Sequence, residues 1–511
     1  MKEITAPASA PRSQPAPAPA RPLGLASWLS TRTLLLGGVL IVITSLFTTA
    51  EQDPDFWWHI RIGEWMTQNG HLPSTDIFTY TVSSHAWTDH EYLTEILMWL
   101  VYNATGLVGI AIAFGAVTWA GWWFIYRRAA QAPFVIIGLG LALGAVAGDP
   151  IWGPRAQMIT FAFSSLEMYW IQTYLSGRSR SLSYFPLVMV AWANLHGGWV
   201  IAFVWLGVAI AAEVIGWIWD RDNPAHLKHL RFLAIIFVAS AVAILATPNG
   251  LGLVLYPFNT VGSVAQERLI VEWFSPDFHQ RYLWPFEAMI LIAIAGFALR
   301  RPTLNDFLLT VVAIVLALQS VRNIALFVGA VTPVIINTYG AYWNELSAQR
   351  GWRLTSPARP VFAAVTAVAL LLVAGAAALH IAGDINPSEQ QSLIKSNYPV
   401  GAADWLAAHP DQCTRMFNQY GWGGYLAYRF YPDPNRRVFI FGEAALMGDD
   451  LLNQYADVQF VQADWSAILN RYNVDCVVYN RDLPLTNVLA NNAGWKLVYE
   501  DNFAVIFERV T

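Results

Sequence analysis

Charged residues are scarce in this chain, at 13% against 56% hydrophobic, where a soluble domain carries roughly a quarter charged residues. That shortage excludes an ordinary water-soluble globule and makes lipid the main solvent. Cysteine is nearly absent as well. Cys413 and Cys476 are the only two, too few for a disulfide-rich scaffold or a cysteine zinc cluster. A P-loop, a GxGxxG turn and an HExxH helix are all lacking, which argues against nucleotide and zinc-protease chemistry. The formal net charge is −5, and nucleic acid is not an expected partner.

What the chain has instead is apolar runs close to the roughly 20 residues that cross a bilayer. They predict about eleven transmembrane helices, near 33–50, 106–126, 133–148, 157–175, 183–196, 199–219, 232–247, 285–300, 304–319, 324–340 and 361–382. A helical bundle satisfies their backbone in lipid. Cytoplasmic loops collect Lys and Arg, and an inside N-terminus puts Arg127/Arg128, Arg178/Arg180, Arg221/Lys228/Arg231, Arg300/Arg301 and Arg350/Arg353/Arg359 on one side. The first span is read as an anchor rather than a cleaved signal peptide, although Thr48 and Ala50 would make a passable cleavage site. Tyr92 to Val101 is too short to cross comfortably and reads as an interfacial helix, with Trp99 and Tyr102 at headgroup level.

Three regions follow. Residues 1–32 are a Pro/Ala-rich cytoplasmic tail without apolar periodicity, read as disordered. Residues 33–382 are the membrane domain, with a first outer loop at 51–105. Residues 383–511 recover ordinary charge and read as an extracytoplasmic α/β domain large enough for its own core. In that domain 400–406 and 464–472 look helical, and 437–441, 476–479, 496–499 and 503–507 look like strands. Cys413 and Cys476 either pair or stay as buried thiols.

The first outer loop concentrates Glu51, Asp53, Asp55, His59, Glu64, Asp76, Asp89, His90 and Glu91 beside spans almost free of acids. Carboxylates at a membrane surface can hold a divalent cation or take a proton from an attacking hydroxyl, while a single acid there is more simply a hydrated loop residue. Asp53 and Asp55 stand apart because they lead straight into an aromatic helix start, PheTrpTrpHis. Asp76 reads as an exposed acid whose replacement by Asn is near neutral. The spans also end in polar groups on the outer side: AsnLeuHis at 194–196, AsnGly at 249–250 and ValArgAsn at 321–323. Polar residues at membrane depth are costly and often mark a site. A planar arginine such as Arg322 can grip a phosphate in bidentate fashion; otherwise it snorkels to water.

The segment Asp55, Phe56, Trp57, Trp58, His59, Ile60, Arg61 resembles the first-loop acidic motif of the GT-C superfamily, which includes the oligosaccharyltransferase catalytic subunit and the protein O-mannosyltransferases. AspHisGlu at 89–91 is similar to the acid-bearing segment closing the same loop in lipid-linked aminoarabinose and mannosyl transferases. The resemblance implies a GT-C-like bundle and a glycosyltransferase that takes its sugar from a polyprenyl-phosphate or diphosphate carrier. It makes Asp55 the base or metal ligand, with Asp53, Asp149 and Glu91 as further catalytic acids. Arg322 and Arg155 would bind the phosphate, and His59, His90 and His196 the substrate. The superfamily's branches differ in metal dependence, so Mg²⁺ or Mn²⁺ on Asp55 and Asp149 stays open. Implied partners are membrane lipid, the lipid-linked donor and an extracytoplasmic glycan, lipid or protein acceptor. The stretch 419–426 is only loosely similar to the oligosaccharyltransferase WWDYG motif, lacks its aspartate, and reads as a close-packed Gly-rich helix start.

Three rivals remain at this stage: a transporter or flippase lined by the same acids, a polysaccharide ligase using Arg268, His279 and Arg281 of the 248–284 loop, and a non-catalytic scaffold. The charge distribution requires the first loop to be extracytoplasmic. Ser83→Cys should therefore react with a membrane-impermeant thiol reagent in intact cells, and labelling only of opened membranes would overturn the orientation.

Overall fold

The computed structural model describes residues 31–47, 53–129, 131–261, 263–352 and 360–510. Nearly all of the Pro/Ala-rich tail, the Thr48/Ala50 pair, Glu51, Arg353 and Arg359 lie outside the described residues, as does the side chain of Arg268. The helical part comprises α1 (Thr31–Phe47), α2 (Phe56–Asn69), α3 (Tyr92–Ala129), α4 (Phe134–Ala147), α5 (Gln157–Leu175), α6 (Phe185–Leu195), α7 (Val200–Trp219), α8 (Pro224–Ala243), α9 (Leu251–Val261), α10 (Val264–Leu269), α11 (Trp284–Leu299), α12 (Leu304–Gln319), α13 (Ile324–Arg350) and α14 (Pro360–Asp384).

Six segments among the described residues form helices long and apolar enough to cross a membrane, and four more helices are apolar but shorter. Eleven crossings were expected; four of the expected spans are shorter helices, and Gln157–Leu175, though 19 residues long, is not among the apolar ones, so six remain. Leu139, Ile235, Val238, Leu291 and Leu371 are exposed on these helices, as side chains facing lipid would be. The centre of the bundle is α13, whose residues from Ile324 to Ile336 are all buried. Small residues let its neighbours approach: a Cβ on Gly140 would meet Ile336, and one on Gly144 would meet Thr332. Close approach through glycine is how helices gain packing where no hydrophobic force separates them from lipid.

The interfacial helix expected from Tyr92 is a distinct piece. Helical geometry stops at Gly106, with φ 66° and ψ −157°, a conformation that needs glycine. The chain then resumes as the long apolar helix.

The C-terminal part comprises α15 (Pro387–Asn397), α16 (Val400–Ala408), β1 (Met416–Asn418), α17 (Gly423–Phe430), α18 (Ala444–Met447), α19 (Asp449–Gln459), α20 (Trp465–Arg471), β2 (Cys476–Asn480), α21 (Pro484–Ala490), β3 (Trp495–Glu500) and β4 (Ala504–Arg509). The sheet order is β1-β2-β4-β3, with β1 parallel to β2 and the other pairs antiparallel. Cys413 and Cys476 are disulfide-bonded, which resolves the open alternative.

One expected strand, 437–441, is not in that sheet. Its backbone is satisfied elsewhere: Asn418 Oδ1 accepts from Phe439 N at 2.8 Å, Asn418 Nδ2 donates to Ile440 O at 2.9 Å, and Val438 N donates to Phe78 O at 3.1 Å. Thr79 forms a parallel bridge to Val438, and Thr81 Oγ1 donates to Phe439 O at 2.7 Å. The first loop therefore pairs with the C-terminal domain directly. Arg61, from the aromatic motif, adds to this seam by donating from Nε to Tyr428 O at 3.2 Å with its guanidinium over the Tyr428 ring.

Asp76 corrects the expectation of an exposed acid. It is 3% exposed and accepts from Phe78 N at 2.9 Å, Thr79 N at 3.0 Å and the Thr79 hydroxyl, ordering the strand-like turn that meets Val438. An amide at this position turns one acceptor into a donor facing donors. Asp76→Asn should lower stability by about 1–3 kcal/mol, read as a reduced melting temperature in detergent, and an unchanged value would contradict this role.

Candidate active site

Asp53-Pro54-Asp55 opens α2. Asp53 Oδ1 accepts from Asp55 N at 2.9 Å and Asp53 O accepts from Phe56 N at 2.9 Å, so the first acid folds the turn that presents the second. Asp55 stands at the N-cap position but does not cap the helix. Its Oδ1 instead accepts from Trp58 Nε1 at 3.0 Å, and its carboxylate lies against the backbone of Gly442. A Cβ at Gly442 would stand 1.5 Å from Asp55 Oδ1, so only glycine admits the acid here. Removal from bulk water and the neighbouring Asp53 carboxylate hold Asp55 well above the usual carboxylate range.

Asp55 lines a cavity of about 420 Å³ that also takes in Asp53, His59, His90, Glu91, Arg155, His196 and Arg322. Eight of the nine residues expected as catalytic or substrate-binding thus meet in one place. The ninth, Asp149, is exposed in the turn after α4 and is not part of this wall. The pair expected to share a cation, Asp55 and Asp149, is therefore not brought together. Among the described residues, Cys413, Asp475 and Cys476 are grouped closely enough to suggest metal ligands, but both sulfurs are spent in the disulfide.

Glu91 is ringed by imidazoles. His90 Nε2 lies 2.9 Å and His196 Nε2 3.4 Å from its Oε1, with His59 Nε2 3.9 Å from Oε2. His196 Nδ1 accepts from Gly198 N at 2.9 Å and faces Thr160 Oγ1 at 2.6 Å, so its proton belongs on Nε2, aimed at Glu91. His59 Nδ1 contacts Glu95 Oε1 at 2.8 Å. Burial disfavours the charged form of both Glu91 and His90. Their mutual attraction, with His196 beside the acid and Glu443 beside the base, outweighs it, placing Glu91 far below the carboxylate range and raising His90 to about 9.

The two arginines differ in what they hold. Arg155 is committed, with Nε 3.0 Å from Asp53 Oδ2 and Nη1 2.6 Å from Glu272 Oε1. Arg322 has no carboxylate partner among the described residues. Its Nε donates to the Gln157 side-chain oxygen at 2.8 Å once that amide is oriented to suit, and its guanidinium lies over Trp273. It stands where the polar cavity meets a second, apolar one of about 290 Å³, walled by Phe161, Val200, Val204, Leu316 and Leu326. The ligase residues His279 and Arg281 line neither cavity, and His279 is exposed beside Asp277. The asparagines of the span-end motifs are structural: Asn194 accepts from the Tyr92 hydroxyl and Asn323 donates to Leu316 O.

Sequence reasoning missed the contribution of the C-terminal domain. Glu443 is buried, lines the same cavity and accepts from the Tyr256 hydroxyl at 3.1 Å, while Tyr256 stacks on His90 with ring centres 4.1 Å apart. Nothing in PheGlyGluAlaAlaLeu marks this acid; only its distance from water does. The 419–426 stretch serves both purposes: Gly424 packs against Trp58, and Gln419 and Tyr420 line the cavity.

Burial, with Glu91 nearby and against the pull of His90, pushes Glu443 up to about 7. A carboxyl raised on folding favours the native state in its protonated form, so its contribution is full below about 4.5 and is lost as pH rises through about 7. The melting temperature of wild type minus that of Glu443→Gln should therefore fall from pH 5 to pH 7.5, and a difference independent of pH would contradict the assignment.

No protein-family model matches the chain, and no curated protein matches it. Among solved structures, it is similar to the oligosaccharyltransferase of Archaeoglobus fulgidus, solved tethered to an acceptor peptide with the NVT sequon. The identity is 14%, covering 95% of this chain and 75% of that one, with a TM-score of 0.52. ArnT from Cupriavidus metallidurans, solved with undecaprenyl phosphate, is also similar at 13% identity, covering 95% of this chain and 99% of that one, with a TM-score of 0.49. The likeness to the oligosaccharyltransferase, at this identity, is one of fold alone.

Proposed function

We propose that this chain is a membrane glycosyltransferase that moves a sugar from a polyprenyl-phosphate or diphosphate carrier to an acceptor on the extracytoplasmic side. The observation that carries this reading is Arg322, a guanidinium with no carboxylate partner among the described residues, at the junction of a polar and an apolar cavity. An anionic headgroup with a long hydrocarbon tail matches that junction: phosphate on Arg322, isoprenoid among Val200, Val204 and Leu316, sugar in the polar cavity beside His59, His90 and His196. The GT-C fold supports the same class of reaction.

In the inverting displacement that this arrangement supports, an acceptor oxygen or nitrogen attacks the anomeric carbon. The bond from that carbon to the phosphate oxygen breaks, its electron pair leaving with the lipid phosphate. The acceptor's proton passes to the Asp55 carboxylate, whose burial and Asp53 neighbour raise its affinity for protons. Asp53 and Arg155 hold the turn that aims it. A cation shared by Asp55 and Asp149 does not fit the separation of those residues, and Arg155 already supplies the charge facing Asp53, so no step is assigned to a metal.

Two variants test the reading. Asp55→Asn should cut transfer by about 10² to 10⁴ with the fold retained, measured as free lipid phosphate released from a radiolabelled polyprenyl-phosphate sugar. Equal rates would remove Asp55 from the chemistry, and import of the donor without release would favour a transporter. Arg322→Lys should weaken donor binding because the planar fork is lost, and Arg322→Ala should weaken it further. Melting curves titrated with undecaprenyl phosphate and with undecaprenol decide this: an undiminished phosphate-dependent shift in Arg322→Ala would place the lipid elsewhere.

A further inference from the structure

The catalytic cavity has two chemically distinct walls. Elements of the helical bundle bring both of its arginines, Arg155 and Arg322. The C-terminal domain brings Gln419, Tyr420, Glu443, Tyr455 and Gln459, and no lysine or arginine of that domain lines the cavity. Its wall thus holds amides, phenols and a single carboxylate.

From this wall we infer that the acceptor is an uncharged saccharide, docked against the C-terminal domain with one hydroxyl on Glu443; the inference rests on the transferase reading above. Each hydroxyl of a sugar both donates and accepts, and side-chain amides and a carboxyl group offer both complements at short range. The Gln419 side-chain oxygen is out of water with no hydrogen-bond partner, an acceptor that a ligand hydroxyl would satisfy, and leaving such a group unpaired costs about 1–3 kcal/mol. The aromatic rings here are fixed rather than adaptable. Tyr455 is buried, stacked on Phe417 with ring centres 5.2 Å apart, and its hydroxyl accepts from Tyr420 N at 2.7 Å. Tyr420 in turn donates to Gly442 O at 3.4 Å. Tyr420 alone of the two keeps partial exposure, so contact with the C–H face of a pyranose falls to its ring. A phosphorylated acceptor would instead bring its charge to Glu443 with no cation on that wall to offset it, the nearby His90 being already paired with Glu91.

Glu443 also stands next in sequence to Gly442, whose backbone touches Asp55. A hydroxyl held by Glu443 is therefore presented beside the base. On attack, that oxygen bonds to the anomeric carbon, the lipid phosphate departs with the electron pair of the broken bond, and the hydroxyl proton goes to Asp55.

The test is saturation-transfer NMR on the full-length protein in detergent, with three probes kept separate: neutral trisaccharides (maltotriose, a galactotriose and a mannotriose), a blocked Asn-Val-Thr peptide, and undecaprenyl phosphate. At least one trisaccharide should bind, at least tenfold more weakly in Glu443→Gln and in Gln459→Ala, with undecaprenyl phosphate binding unchanged in both. Gln459 is only half-buried, so its variant keeps the experiment decisive if the Glu443 variant melts early. Failure of all trisaccharides, binding of the peptide in their place, or undiminished trisaccharide binding in both variants overturns the inference. Retained lipid-phosphate binding in those cases would show that the acceptor assignment alone has failed, whereas loss of lipid binding in wild type would sink the transferase reading itself.

Discussion

The contact on which the site depends is that of the Asp55 carboxylate with the backbone of Gly442. It joins the first loop to the C-terminal domain where the reaction is proposed to occur. The surrounding seam exists to hold it: Phe78 to Thr81 pair with Val438 and Phe439, Arg61 reaches Tyr428, and the Tyr398 hydroxyl donates to Asp53 O at 3.1 Å. Asp76, read from sequence as a spare loop acid, belongs to this seam because it folds the turn that makes the pairing.

Charge in the cavity is arranged so that few groups are free. Glu91 is paired with the His90 imidazole and Asp53 with Arg155. Burying charges without such partners would cost several kcal/mol each. Asp55, Glu443 and Arg322 have no such ion pair among the described residues, and the proton-accepting, hydroxyl-holding and phosphate-binding roles proposed above fall to these three. A side chain already paired is a poor candidate for binding substrate, so the distinction between Arg155 and Arg322 comes from their partners and not from residue type.

The helical bundle was legible because lipid imposes long apolar runs and a bias of basic residues, both written locally in the chain. Asp55 was legible because the aromatic start of α2 is a local pattern. Arg322 stood out as a lone cation between two apolar runs. Asp149 carries the same local signal, an acid at the end of an apolar helix, yet does not line the cavity, since helix ends need not converge. Glu443 and Tyr256 had no local signature at all: their meeting depends on how α9 and the C-terminal domain fold over the bundle. The segment 437–441 shows the same limit, having the apolar alternation of a strand but partners in the first loop and the Asn418 side chain.

The seam also bears on how the protein is made. Asp55 leaves the ribosome early and Gly442 near the end, and domains generally fold in order of synthesis. Throughout most of translation the first loop thus has its aromatic face, Trp57, Trp58 and Phe78, without its covering partner. A chain at that stage lacks the cavity wall that Tyr420, Glu443 and Tyr455 supply, so the site is complete only once both halves of the seam exist.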